Sequence, residues 1–206
     1  MDVHHLRRGV ALLARMDRDL ASVVQRHGPP PLWARRPGTA TLIRIILEQQ
    51  VSLASAKAVY RRMEDHLGRV SAESVATCGI TGLRRLGVTR QKAAYCCQLA
   101  DQILSGDLSL RKLARASASQ AREELQQVNG IGPWTADIYL LMALRHPDIW
   151  PTGDIALLTA MQRLRGLRKR PSVGRAAEIA RRWAPWRAVA ARILWHGYLE
   201  GSLSGR

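Results

Sequence analysis

The chain has 206 residues, room for one domain or two small lobes, and 47% of them are hydrophobic, which supplies a core and excludes a disordered basic tail. Its 32 Lys and Arg against 16 Asp and Glu leave a formal charge of +16, which ranks a nucleic-acid partner above a merely solvated basic surface. No apolar run approaches the roughly 18 residues of a bilayer span, Met1 to Arg8 lack the features of a secretory signal, and the 3 cysteines and 6 histidines fall in no ligand spacing, so membrane, secretory, zinc, iron–sulfur and thiol readings are set aside and a reducing interior is expected.

Helical signals dominate and period-two alternation is scarce. One amphipathic helix is predicted over Leu6–Arg26 from the stripe Val10, Leu13, Leu20, Val23 and Val24, ended by Pro29-Pro30-Pro31. Thr39 or Thr41 would cap a short apolar helix to Glu48. Ser52 would cap another over Leu53–Leu67, with Gln49-Gln50-Val51 a polar break between them. Ser71 opens a helix punctuated by Gly79 and Gly82, Thr89 caps Arg90–Leu104 with Gly106 as its stop, and Ser117 begins a capping box for Ala118–Gln127. A tight turn over Val128–Gly132 leads to Pro133, placed as the first residue of a helix to Leu144. Asp154 precedes Ile155–Leu164, followed by a basic connector (Arg163, Arg165, Arg168, Lys169, Arg170), a helix over Val173–Trp183 and a last one opened by Pro185 and running to Leu199. The sum is eight to ten short helices.

The segment Leu125–Ala136, LQQVNGIGPWTA, reads as helix, hairpin, helix. Gly130 and Gly132 permit backbone angles that a side chain would forbid and let the main chain approach a phosphate closely, and the positive end of the helix opened by Pro133 favours the same anion. A bare Gly-x-Gly between helices is more often than not an ordinary tight turn; the proline, the Thr135-Ala136 that follows and the basic composition favour DNA. Asp154 in WPTGDIAL is a good helix N-cap, and a carboxylate at that place is also suited to face an electron-deficient sugar.

Taken together, VNGIGPWTAD, WPTGDIAL and RWAPWRAVAARILW, preceded by LIRIILEQQVSLASAKAVYRRM and LGVTRQKAAYCCQLA, resemble the helix–hairpin–helix/Gly-Pro-Asp superfamily of base-excision DNA glycosylases over Thr39–Leu199. Within it the chain looks most like the 3-methyladenine DNA glycosylase II branch. The resemblance implies an all-α, two-lobed glycosylase fold as a single unit over 1–206, with the helix–hairpin–helix motif near 118–144 and an active-site cleft between helical lobes. With about 38 residues ahead of the matching region, the compact form without an N-terminal α/β lobe is expected.

The implied activity is that of a monofunctional hydrolase that flips an alkylated base out of duplex DNA and breaks its N-glycosidic bond, with Asp154 as the catalytic carboxylate. Bifunctional relatives carry a hairpin lysine where this chain has Trp134, and no lysine lies between Lys112 and Lys169, so no lyase activity is expected. Trp134, Trp186 and Trp33 are the candidate walls of the base pocket, with Trp150 weaker and Trp183 and Trp195 read as packing. Gln50, and behind it Gln49, is the candidate wedge for the gap left by the flipped base. Gly130, Gly132 and Thr135 are the expected phosphate contacts, and the carbonyls of Val128 and Ile131 the candidate ligands of a monovalent cation, Na+ or K+, with no cofactor required. Asn129, Pro133, Ile138 and Ile155 depart from common family residues, which leaves lesion range open. The implied partner is double-stranded DNA with damaged bases, bound by a monomer in the cytoplasm of a bacterium or the nucleus of a eukaryote. Two alternatives stay open: a same-fold glycosylase for deaminated or oxidised bases, and a DNA-binding helix–hairpin–helix module without catalysis.

Overall fold

Asp2 accepts the His5 N–H and opens the first helix, α1 (Val3–Met16). The single opening helix expected over Leu6–Arg26 is in fact two, because Asp17 takes an extended conformation and caps α2 (Arg18–His27) by accepting the N–H groups of Asp19 and Leu20. The apolar stripe runs on through the break, with Leu6, Val10 and Leu13 buried before it and Leu20 and Val23 after, so periodicity alone does not reveal the turn. The computed structural model describes residues 1–201, and among them it has twelve helices, no strand and no helix long and apolar enough to cross a membrane.

The chain divides into two compact units, one formed by Met1–Ala34 with the segment from Arg145 onward, the other by Arg35–Leu144. The first unit holds α1 and α2 with α10 (Ile155–Leu164), α11 (Val173–Arg181) and α12 (Arg187–Leu199). Helix α12 is its centre, burying Val189, Ile193 and Leu194. Gly9 lets α1 close on it: a Cβ there would stand 2.8 Å from Trp186 Cε3 and 2.9 Å from Val189 Cγ2. The helix starts two residues later than its proline suggests, at Arg187, whose side chain clasps Asp148 through two 2.8 Å bonds while Ala188 N–H donates to Pro147 O.

Asp17 ties this unit together. Its second carboxylate oxygen accepts from Arg165 at 2.7 Å and from the Trp183 indole N–H at 2.9 Å. Burial opposes its charge, yet the Trp183 hydrogen bond and the Arg165 guanidinium outweigh it and hold the carboxyl below its ordinary value. A depressed native pKa stabilises the fold above the unfolded-state value and loses that contribution as pH falls through the native one. Native Asp17 should therefore show an acid-side loss of urea midpoint, from about pH 5 downward, that Asp17→Asn lacks. At neutral pH the same variant should lose about 1–3 kcal/mol, because an amide oxygen can still cap α2 but the Arg165 guanidinium loses its charged partner.

The second unit is built on α3 (Thr39–Glu48), whose Leu42, Ile43, Ile45 and Ile46 are fully buried. Neither threonine caps it. Gly38 is the N-cap residue, and Thr41 turns inward to donate to Arg36 O at 2.6 Å. Around it lie α4 (Leu53–Leu67), capped by Ser52 as expected, α5 (Ala72–Arg85), broken at Gly79 (φ 64°), and α6 (Arg90–Ser105), stopped by Gly106. A single turn, α7 (Leu110–Leu113), adds to the elements expected from sequence. The unit closes with α8 (Ala118–Gln126) and α9 (Pro133–Met142), the two helices around the glycine hairpin.

Candidate functional site

The hairpin between α8 and α9 closes through the Ile131 N–H, which donates to Val128 O at 3.0 Å, with both side chains buried beneath it. Its glycines serve different ends. Gly130 sits at φ 88°, and a Cβ there would run into the Tyr95 ring, so the chain itself demands glycine. Gly132 is ordinary extended backbone at φ −84°, ψ −179°, and a Cβ there would meet nothing within 4 Å. The expectation that both glycines need special angles is thus corrected: Gly132 leaves open space at the N-terminus of α9, where no side chain caps the helix and Pro133 supplies no donor. The positive end of the helix dipole makes that space suitable for an anion.

Thr135 does not present its side chain there. It is 2% exposed, and its hydroxyl accepts from Gln49 Nε2 at 2.8 Å, so it braces the hairpin from within and leaves only its main-chain N–H for an anion. The same Gln49 amide donates to Gly130 O at 2.9 Å. Gln49 is therefore a strut, and its place as second wedge candidate is withdrawn because its amide is already committed. Gln50, by contrast, is exposed and held at φ 54°. Trp134 is half-buried in the first turn of α9, and Ile138, one turn on, is core. Beneath them Asp137, 1% exposed, meets Arg122 of α8 at 2.7 Å, an ion pair joining the two hairpin helices that no spacing rule singled out.

The other unit carries the carboxylate. Asp154 is the N-cap of α10 and only 8% exposed; its Oδ1 accepts the Leu157 N–H at 2.8 Å and the Trp195 indole N–H at 3.2 Å. Two donors on one oxygen fix the carboxylate's orientation. Gly153 at φ 77° turns the chain into this position, and the neighbouring Ile155 stands 61% exposed. Trp195, read from sequence as packing alone, is thus a direct partner of the candidate acid. Nothing in its apolar helix face sets it apart from other core residues.

Trp33 reaches the same cluster, its ring 6.4 Å from that of Trp195 and 6.3 Å from that of His196, both edge-to-face. It is half-buried and held at φ 46°, next to Leu32, whose carbonyl accepts from the buried Arg192. Trp186 has a packing role, its ring lying over Gly9. Trp150 packs on Trp183 at 5.6 Å between ring centroids. The basic connector is split: Arg165 is bound to Asp17 and Asp19, Arg163 lies over the Tyr198 ring, and Arg168, Lys169 and Arg170 are exposed.

Residues 43–185 match the family model described as HhH-GPD superfamily base excision DNA repair protein. The chain belongs to this superfamily. Among HhH-GPD relatives, it is 29% identical over 162 residues to the DNA-3-methyladenine glycosylase of Bacillus subtilis, covering 73% of this chain and 54% of the relative. It is 32% identical over 212 residues to the probable bifunctional transcriptional activator/DNA repair enzyme AlkA of Mycobacterium tuberculosis, covering 89% and 40%. Its fold is that of the Schizosaccharomyces pombe 3-methyladenine DNA glycosylase Mag1 in complex with abasic DNA, with a TM-score of 0.82 at 23% identity over 91% of this chain and 95% of that one. The chain spans between about half and two thirds of the length of the first curated relatives it matches.

Proposed function

We propose that this chain is a monofunctional DNA glycosylase that flips alkylated bases of the 3-methyladenine type out of duplex DNA and hydrolyses their N-glycosidic bond, opening base-excision repair. The observation that carries the reading is Asp154: a carboxylate 8% exposed, oriented by Leu157 and Trp195 at the start of α10, in an HhH-GPD chain. Relatives named for 3-methyladenine release support the choice of alkylated bases.

In this reading the uncapped start of α9 and the main chain at Gly130 and Gly132 hold a backbone phosphate, and Gln50 fills the gap left by the flipped nucleotide. An alkylated purine is already cationic, so it stacks on the electron-rich face of Trp134 and leaves with the bonding electron pair without needing a strong acid behind it. As the C1′–N bond breaks, positive charge builds on the sugar, and Asp154 stabilises it, while water adds at C1′ and gives up its proton to the carboxylate. No hairpin lysine stands ready to form an imine, so the product is an intact strand with an abasic site. Na+ or K+ on the carbonyls of Val128 and Ile131 would brace the hairpin, since carbonyl oxygens suit such ions and the Val128 oxygen keeps a lone pair beyond its bond to Ile131.

The test is a panel of duplexes carrying methylated, deaminated or oxidised bases, each treated with and without hot alkali. Release of methylated purines with strand breaks only after alkali is expected. Release of deaminated or oxidised bases alone would replace the alkyl reading, breaks without alkali would contradict monofunctionality, and binding without any release would leave a DNA-binding module.

A further inference from the structure

We propose that Lys92 and Gln49 are positioning residues that join the Gln50 loop to the glycine hairpin, so that wedge and phosphate grip are set by one hydrogen-bonded unit. The inference rests on the functional reading above, and it begins with the end of α3. A helix C-terminus leaves carbonyls without intrahelical donors. Here Leu47 O and Gln49 O both accept from Lys92 Nζ of α6, at 2.8 and 2.7 Å. Lys92 has no carboxylate partner among the described residues, so its charge is spent on these two main-chain oxygens, where the helix dipole also favours it.

Those bonds bracket Glu48 and hold the main chain immediately before Gln50, which adopts φ 54° without being glycine. A side chain in the left-handed region persists only where its surroundings over-determine it. Lys92 fixes one side of the loop, and Ser52, capping α4 through the Ser55 N–H, fixes the other. From the same loop the Gln49 amide crosses to Gly130 O and the Thr135 hydroxyl. One turn along α6 from Lys92, Tyr95 lies against Gly130 so closely that no Cβ fits between them. A single face of α6 therefore supports the loop through Lys92 and the hairpin through Tyr95, with Gln49 as the tie. A bare helix cap would satisfy the two carbonyls but would not link them to the hairpin.

The experiment pairs two readouts. A duplex with 2-aminopurine beside a tetrahydrofuran abasic analogue reports insertion of Gln50 by a fluorescence change, and single-turnover assays on methylated duplex report base release. Lys92→Met and Gln49→Met should lose most of the fluorescence change and slow release by on the order of tenfold or more, the scale of a misplacement of about 1 Å at a reacting site. Lys92→Arg, which keeps two donors, should retain both signals. Because Lys92 acts in part through Gln50, the defects of Lys92→Met and Gln50→Ala should combine to clearly less than their product, where independent effects would multiply. Full fluorescence response in both Met variants, or multiplied defects, overturns the proposal. So does a wild-type chain that gives no fluorescence change. A wild type that responds in fluorescence but frees no alkylated base refutes the functional reading alone and leaves positioning to be judged by fluorescence. Should Lys92→Met fail to fold, Gln49→Met carries the same test, since it leaves the bonds from Lys92 to the main chain in place.

Discussion

Asp154→Asn is expected to bind lesion-bearing duplex as the native chain does and to release bases at least about a hundredfold more slowly, the scale set by removing a key electrostatic group from a transition state. The substitution is nearly isosteric. Its amide oxygen can still accept from Leu157 N–H and Trp195 Nε1, so the start of α10 and the packing of α12 are retained. What disappears is the negative charge that the proposed function places beside the sugar, which would matter only as C1′ becomes cationic and not for binding before that point. Single-turnover release and duplex binding measured on one preparation separate the two. Undiminished release in the variant would remove Asp154 from its assigned role.

The second large effect lies at the hairpin and separates two glycines that look alike in sequence. Gly130→Ala must place a methyl at φ 88° and against the Tyr95 ring, so left-handed strain of about 1–2 kcal/mol adds to overpacking of about 1–3 kcal/mol. Thermal or urea unfolding should show a loss of about 2–5 kcal/mol, with duplex binding impaired because the turn is displaced. Tyr95→Ala in the same chain should relieve the overpacking part. Gly132→Ala should behave oppositely. Its methyl meets nothing in the chain, so stability should change by less than about 0.5 kcal/mol while duplex affinity falls, because the methyl occupies the approach to the N-terminus of α9. Equal unfolding midpoints for the two alanine variants would contradict this division.

The contrast shows what was legible in the sequence. Gly-x-Gly followed by proline announces a turn into a helix, but which glycine the fold needs depends on Tyr95, which is 35 positions away and carries no local signal. Capping residues read well at Ser52, Ser71, Thr89, Ser117 and Asp154, because each acts on N–H groups two or three positions along the chain. Asp17 does not stand out as a cap because an unbroken apolar stripe runs past it. At the site, Asp154 and Gln50 stood out by position and residue type. Trp195, Gln49, Lys92 and Asp137 did not, since their roles arise from contacts made 41, 81, 43 and 15 residues away. Trp186 shows the converse: an aromatic in a recognisable motif whose visible partner is Gly9 of α1.

In the proposed function Asp154 recognises positive charge at the position of the sugar. The decisive comparison is between the affinities of the native chain and of Asp154→Asn for two duplexes. One carries a neutral tetrahydrofuran abasic analogue and the other a cationic pyrrolidine analogue of the same shape. The native chain should prefer the cationic duplex by about tenfold or more, and Asp154→Asn should lose that preference while holding the neutral duplex as tightly as before. Equal preference in the two proteins would mean that the carboxylate does not face the sugar.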